Sequence, residues 1–247
     1  MKKIFLLTFL TCTVALSASA RVPDRGLGNA NAAFIEKGSW QIGFLGSYNN
    51  LNSEGLDGVV GSSLMGIVDG LSGNATLANL SLTGSWFFAD NYALGIRFGY
   101  GKNHIDIDNA TLATMLPLQN KHIESMHLTG ALTAKAYYPL FDTRFLAITG
   151  ELRLNGKRGY SMNYQETDRG KYGTYSDDYG VSLSLNTGLS LFLCDFAAVE
   201  VSMPLLEGGY ALSKQIEGGE SESVQSRVYA TFQRNLLGIN AGIVFTF

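Results

Sequence analysis

Cysteine, proline and long hydrophobic runs are all scarce in this chain of 247 residues. It has two cysteines and four prolines, and Cys194 is the only cysteine beyond residue 20, so we expect no internal disulfide. Beyond residue 20, no uncharged apolar run approaches about 18 residues, the length that suggests a transmembrane helix. The composition, with 29 glycines, therefore suits long β-strands better than a helical membrane protein or a disulfide-stabilised domain.

The first 20 residues are predicted to be a secretory signal peptide. Two lysines precede an apolar run from Ile4 to Leu16, and Ala18-Ser-Ala20 offers a small-residue cleavage site. The alternative, an anchoring helix, would need roughly 20 apolar residues. Without those lysines, 16 basic residues face 21 acidic ones, which argues against nucleic acid as a partner. We expect a signal peptide, a short periplasmic lead-in and one barrel domain, at 1–20, 21–37 and 38–247.

Eight segments alternate between apolar residues and small or polar residues with the two-residue period of a β-strand. They lie at roughly 40–49, 78–88, 92–101, 125–138, 145–155, 180–192, 198–205 and 237–247. One face of these segments carries no charge and is mostly large and apolar, as at Phe98, Leu183 and Ile243. The other face is dominated by small and polar residues, and its only charged residues are Arg97, Lys135, Glu151, Arg153 and Glu200.

These two faces distinguish between two kinds of barrel. In a soluble ligand-binding barrel the polar face would meet water, where roughly 25–35% charged residues are usual. Five charged residues on the whole polar face of eight segments is a far smaller fraction than that. A filled lumen and a lipid-facing exterior instead account for both faces. We therefore predict an all-β fold, a closed antiparallel up-and-down transmembrane β-barrel of eight strands.

The connections between the segments alternate in length. Three are short (Ala89–Asn91, Pro139–Arg144 and Leu193–Ala197) and four are long (50–77, 102–124, 156–179 and 206–236). Outer-membrane barrels combine short periplasmic turns with long extracellular loops. This asymmetry predicts the bacterial outer membrane, with four extracellular loops, both termini in the periplasm and outer-membrane lipid around the barrel.

Three stretches carry a resemblance to known proteins. The terminal strand, with Ile243, Phe245 and Phe247 on one face, resembles the closing strand of bacterial outer-membrane barrels, which implies a signal for the barrel-insertion machinery. The sequences Phe34-Ile-Glu-Lys-Gly-Ser-Trp40 and Trp86-Phe-Phe-Ala-Asp-Asn-Tyr-Ala-Leu-Gly95 resemble small eight-stranded proteins of the OmpA/OmpX type, in particular barrels common in Bacteroidetes. The resemblance covers nearly all of the chain beyond residue 20, but it implies architecture rather than activity.

The five inward charges predict a plugged lumen. Closing eight strands leaves an interior only wide enough for side chains to fill. Buried charges must pair there, because an unpaired one costs several kcal/mol. We interpret these residues as a structural ion network, so that the protein is not a general porin; a conducting or switching role is the alternative.

Two of the long loops have compositions that suggest recognition. The first loop has apolar residues at near-helical spacing, among them Val60, Leu64 and Ile67. It fits either a short helix or turn that caps the barrel mouth, or a patch that binds a partner or contacts lipid. The third is rich in tyrosine, which is enriched at interfaces: Tyr160, Tyr164, Tyr172 and Tyr175. The third loop fits a surface for an extracellular protein or glycan, or an extended strand pair whose aromatic side chains pack together.

A catalytic or metal site has less support. Six loop residues could superficially form a His–Asp or Asp–Asp set: His104, Asp106, Asp108, His122, Asp177 and Asp178. A catalytic base must lie within hydrogen-bond reach of its partner, and no loop has the ligand spacing of a calcium site. We predict a non-enzymatic protein without cofactor or metal, with structural, adhesive or accessory-binding roles through its loops. The alternative is an outer-membrane enzyme, a protease or lipid A-modifying enzyme, with its site at the extracellular mouth.

Overall fold

The fold consists of antiparallel strands throughout. In a computed structural model, residues 33–51, 68–112, 116–140, 144–167, 170–217, 221–232 and 239–247 are described. The strands are β1 (Trp40–Leu51), β2 (Val68–Ala89), β3 (Tyr92–Leu112), β4 (Leu116–Pro139), β5 (Leu146–Thr167), β6 (Gly170–Phe192), β7 (Ala197–Glu217), β8 (Ser221–Phe232) and β9 (Asn240–Thr246). Among the described residues, no helix is long and apolar enough to cross a membrane.

The sheet closes on itself. Each strand from β1 to β7 pairs with the next one along the chain, and β9 pairs with both β7 and β1. The beginning of β7 (Ala197–Ser202) pairs with β9, whereas its later part (Leu206–Glu217) pairs with β8, so β8 and β9 share the eighth position in the wall. The predicted closed antiparallel up-and-down barrel of eight strands is confirmed.

The two ends of the barrel differ. At the end that we call proximal, β2 and β3 are joined by Asp90 and Asn91, and β9 ends beside the start of β1. Asn91 has a φ of 66°, the left-handed conformation that asparagine tolerates in a tight turn. Backbone hydrogen bonds of 2.8 and 2.9 Å between Trp40 and Phe247 complete the closure at this end. The opposite end is called distal.

Most strands extend further at the distal end than the sequence predicts. Strands β2 to β7 contain 21 to 24 residues, about twice the 9–11 residues that cross a bilayer. The segments 102–124, 156–179 and 206–236, which we expected to be loops, are therefore largely strand. The signal peptide at 1–20 and the residues Val60, Leu64 and Ile67 lie outside the described residues.

A bulge in β7 changes which residues face inward. Leu185 is opposite Leu206 and Asn186 is opposite Pro204, so Leu205 is the extra residue. We predicted Leu205 on the outward face, but the bulge leaves Leu205 half-buried and shifts the outward positions to Leu206 and Tyr210. Outward positions are therefore odd-numbered before the bulge, as at Val201 and Met203, and even-numbered after it.

The exterior of the barrel is apolar and the interior is polar. Large outward side chains remain exposed on every strand: Phe98 is 59% exposed, Leu132 62%, Leu183 52% and Ile243 47%. Charged residues such as Arg97, Glu151 and Glu200 are instead buried inside, with exposures below 9%. This distribution is the inverse of that of a water-soluble protein, in which large apolar patches are rarely exposed.

Candidate functional site

The proximal end of the interior is closed by the lead-in segment. Phe34 is 1% exposed, and its ring centroid lies 5.1 Å from that of Phe192 and 5.8 Å from that of Tyr137. The next residue, Ile35, exchanges two hydrogen bonds with Asn91: its N–H donates to Oδ1 and its carbonyl accepts from the Asn91 N–H, both at 2.9 Å. We described residues 21–37 only as a lead-in, so this apolar cap is an addition to the prediction.

Three of the five predicted interior charges meet in one cluster. The Glu151 Oε2 atom lies 2.6 Å from Nη2 of Arg153 and 3.8 Å from Nη1 of Arg97. Arg97 also donates from Nη2 to the Ser81 hydroxyl at 2.8 Å. Two guanidinium groups therefore share a single carboxylate.

The other two predicted charges form a second cluster on the proximal side. Lys135 Nζ lies 2.6 Å from Glu200 Oε2. The Glu200 Oε1 atom accepts a hydrogen bond of 2.7 Å from the hydroxyl of Tyr137, which is 2% exposed and lies 2.8 Å from Oε1 of Gln41. The side chains around both clusters leave a cavity of only ≈ 10 Å³, lined by Arg97, Lys135, Glu151 and Glu200 among others. Such a volume is about that needed for one water molecule.

The distal half of the interior is open, in contrast to the filled lumen that we expected. A partly open cavity of ≈ 770 Å³ lies there, and its walls are rich in hydroxyl and amide groups. Its charged side chains are Arg97, Arg153, Lys157, Asp178, Glu207 and Arg227, together with the imidazole of His127. Four of these, Lys157, Asp178, Glu207 and Arg227, were not predicted to face inward, because they lie beyond the segments in which the alternation was read.

Aromatic side chains cover the outward surface of the distal part of β4, β5 and β6. We call this surface the distal aromatic face and define it by Met126, Tyr160, Met162, Tyr164, Tyr175 and Tyr179. The rings of Tyr160 and Tyr175 are stacked with centroids 6.1 Å apart, and the Tyr164 ring stacks on His122 at 5.2 Å. The pKa of the Tyr175 phenol is raised, first by desolvation and then by the 3.1 Å hydrogen bond that it donates to Asp177.

Three of the four predicted recognition tyrosines thus belong to one surface. This is the extended strand pair with packed aromatics that we gave as one alternative for the third loop. The backbone of Tyr172 lies in β6, but its side chain falls outside the described residues. The outward apolar side chains, such as Phe98, Leu132 and Leu183, form a band around the barrel that we call the apolar belt. The distal aromatic face lies on the barrel wall beyond this belt, rather than on a loop at the mouth.

The candidate catalytic residues are partly brought together. On the outer wall next to the distal aromatic face, Asp106 contacts both His104 Nε2 at 3.0 Å and His122 Nδ1 at 2.6 Å, and His104 Nδ1 lies 3.4 Å from Glu124. Asp177 and Asp178, by contrast, bond to Tyr175 outside and to Ser161 inside, so they do not form a carboxylate pair. The Asp108 side chain is outside the described residues. Among those that are described, no group of three or more histidine, cysteine or acidic side chains is arranged to hold a metal ion.

Comparison with known proteins gives structural neighbours only. No protein-family model and no curated protein matches the chain. Among solved structures, the outer membrane protein OprG from Pseudomonas aeruginosa is similar at 13% identity and a TM-score of 0.43, over 87% of this chain and 99% of that one. A major outer membrane protein from Thermus thermophilus is similar at 9% identity and a TM-score of 0.47, over 85% and 99% of the two chains.

Proposed function

We propose that this chain is an integral protein of the bacterial outer membrane, with both chain termini in the periplasm. The apolar exterior is the observation that supports this most directly. Between the proximal turns and the distal aromatic face, exposed Leu, Ile, Val and Phe side chains surround the barrel, with tyrosine and tryptophan near the edges. The acyl chains of lipid solvate such an apolar surface. Lipid offers no hydrogen-bond partners to the backbone, and the closed sheet pairs the backbone N–H and C=O groups internally.

Cell fractionation tests this part of the proposal. The protein should remain with the outer membrane after alkaline washing and should migrate differently on gels before and after boiling, as folded barrels do. Its recovery from the aqueous periplasmic fraction without detergent would instead support the soluble ligand-binding barrel.

Recognition of an extracellular protein or glycan is the role that we infer for the part of the barrel outside the membrane. Tyrosine supplies a large contact area at low entropic cost, and Tyr160, Tyr164, Tyr175 and Tyr179 present such area on a rigid sheet rather than on a mobile loop. The stacked pair Tyr160–Tyr175 is 38% exposed at each residue, so its rings are fixed by each other and still accessible. The proposed role is adhesive or accessory-binding, and it is not enzymatic.

A matched pair of variants tests this role. Partners captured by the detergent-solubilised protein are compared for the wild type, for Tyr160→Ser/Tyr175→Ser, and for Val224→Ser/Val228→Ser. The valines also lie outward on the distal wall, 57% and 84% exposed, but on β8 rather than in the distal aromatic face. Loss of a protein or glycan partner in the tyrosine variant alone supports the proposal, whereas unchanged binding in that variant refutes it.

An outer-membrane enzyme is the second candidate, because His104, Asp106, His122 and Glu124 converge to within hydrogen-bonding distance. We favour the non-enzymatic role since this cluster lies on the convex outer wall, whereas the cavities found in the described part of the barrel are internal. Hydrolysis of peptide or lipid A substrates that is abolished by His122→Gln, with an unchanged fold, would favour the enzyme.

A further inference from the structure

The distal cavity has the volume of a small-molecule binding site, and its wall is polar. Its ≈ 770 Å³ fall within the range of roughly 300–1,000 Å³ that is typical of ligand pockets. Hydroxyl and amide side chains dominate the wall, among them Asn79, Thr129, Asn155, Ser182 and Ser184. Such a wall offers hydrogen bonds in many directions, and it suits a hydrophilic solute rather than an apolar one.

The floor of the cavity carries an excess of positive charge. Arg97 and Arg153 both line it, and the carboxylate nearest to them, Glu151, is shared by the two. The side chain of Arg153 is only 11% exposed, and its buried Nε–H has no hydrogen-bond partner among the residues that the structure describes. A guanidinium presents its donors in a fixed fork that matches the oxygens of a phosphate or carboxylate group. An anionic acceptor at this floor would balance the second guanidinium.

The wall above the floor adds two more basic groups. Lys157 and Arg227 line the cavity. Two carboxylates also line it, those of Asp178 and Glu207, and each accepts a hydrogen bond from a neighbouring hydroxyl. Asp178 accepts a hydrogen bond of 3.0 Å from the Ser161 hydroxyl, and Glu207 accepts one of 3.0 Å from the Tyr229 hydroxyl. Counting Glu151 at the floor, four basic side chains are balanced against three carboxylates, which leaves one positive charge in excess. A concave, low-dielectric wall focuses the resulting positive potential.

We propose that the distal cavity binds a small hydrophilic solute through its phosphate or carboxylate group, with Arg97 and Arg153 at the floor and Lys157 on the wall. The site is independent of what the outer surface recognises, because the two lie on opposite faces of the same strands. Arg158, the residue after Lys157, illustrates this: it points outward and lies 5.6 Å above the ring of Tyr179.

Calorimetric titration of the full-length barrel in a non-ionic detergent at low ionic strength tests the proposal. Inorganic phosphate and acetate are the anionic probes, and glucose is the neutral probe with comparable hydrogen-bonding capacity. We expect binding of at least one anion and none of glucose. Tighter binding of phosphate identifies phosphorylated solutes as the class, and tighter binding of acetate identifies carboxylates. Equal binding of glucose, or no binding of either anion, overturns the proposal.

Adjacent residues on β5 provide the matched variants. Lys157→Met should weaken anion binding by about tenfold, the loss expected for one charge-assisted contact, whereas Arg158→Met should leave it unchanged. Glu151→Gln removes the competing carboxylate and should tighten binding. Equal effects of Lys157→Met and Arg158→Met, or weaker binding by Glu151→Gln in a barrel that still shows heat-modifiable migration, would refute the site.

Discussion

Lys135 of β4 and Glu200 of β7 are joined directly through the interior of the barrel, with 2.6 Å between Nζ and Oε2. In the wall these strands are separated by β5 and β6. The contact shows that side chains from non-adjacent strands span the interior near the proximal end. The ion pair therefore links parts of the wall that no backbone hydrogen bond connects.

Removing one partner of the Lys135–Glu200 ion pair should lower the stability of the barrel. Glu200→Leu leaves the Lys135 ammonium buried without its carboxylate, and we expect a loss of about 3–5 kcal/mol in the free energy of unfolding. The double variant Lys135→Met/Glu200→Leu should recover most of that loss, because no charge remains unpaired. Urea titration of the barrel in lipid vesicles, followed by gel mobility without boiling, measures both values. A double variant as unstable as the single one would contradict this account.

Gly242 should not tolerate a side chain. A Cβ at this position would collide with the backbone carbonyl of Phe44 in the neighbouring strand, at the joint between β1 and β9 that closes the barrel. Gly242→Ala should therefore destabilise the barrel by about 1–3 kcal/mol, the usual cost of overpacking.

The control is Gly84→Ala in β2, since a Cβ there has no atom of the described residues within 4 Å. Alanine at a compatible position restricts the unfolded chain, so a neutral or slightly stabilising effect is expected. Equal losses at the two glycines, in the same urea titration, would argue against a specific clash at the joint.

The apolar belt predicts a position-dependent cost of charge. Leu132→Lys puts an ammonium group at a site that is 62% exposed on the outward face, and near the bilayer midplane this costs about 2–4 kcal/mol. Met162→Lys, also outward and 40% exposed, lies opposite Glu124 beyond the belt and should be tolerated. Folding yields and unfolding free energies in vesicles distinguish the two. If both lysines are tolerated equally, the exterior of the barrel does not face lipid.

Electrical recordings address the proposed closure of the lumen. The wild-type protein in a planar bilayer should show no stable porin-sized conductance, because the ion clusters leave a cavity of ≈ 10 Å³ and Phe34 closes the proximal end. Large, steady channels at several voltages would mean that the plug is displaced in a membrane, and the conducting alternative would then be preferred.

Period-two alternation was sufficient to predict the orientation of residues within the belt. Lipid-facing and interior residues differ there so strongly that Phe98 and Ile243 could be assigned outward, and Glu151 and Arg153 inward, without coordinates. Beyond the belt both faces of a strand carry polar and aromatic residues, and the signal disappears. The sequence therefore places Tyr160 and Tyr175 in the third loop and leaves open whether they lie on an extended strand pair, which is where the structure has them.

Two other features could not be read from local sequence. The bulge at Leu205 inserts one residue into β7, so Glu207 faces the cavity although simple alternation continued past that point assigns it outward. Phe34 lies in a short irregular segment, and its contacts with Tyr137 and Phe192 span more than 100 positions along the chain. Neither a single inserted residue nor a distant aromatic contact leaves a periodic pattern.

The contacts that bury Phe34 can form only after several strands have come together. Its ring rests against side chains from β4 and β6, and the neighbouring Ile35 is held by the turn that joins β2 to β3. This binding position forms only after all of these strands have assembled into the curved wall of the barrel. Protection of this aromatic ring from solvent therefore reports that β2 to β6 have come together, and a chain in which they have not would leave Phe34 open to proteolysis.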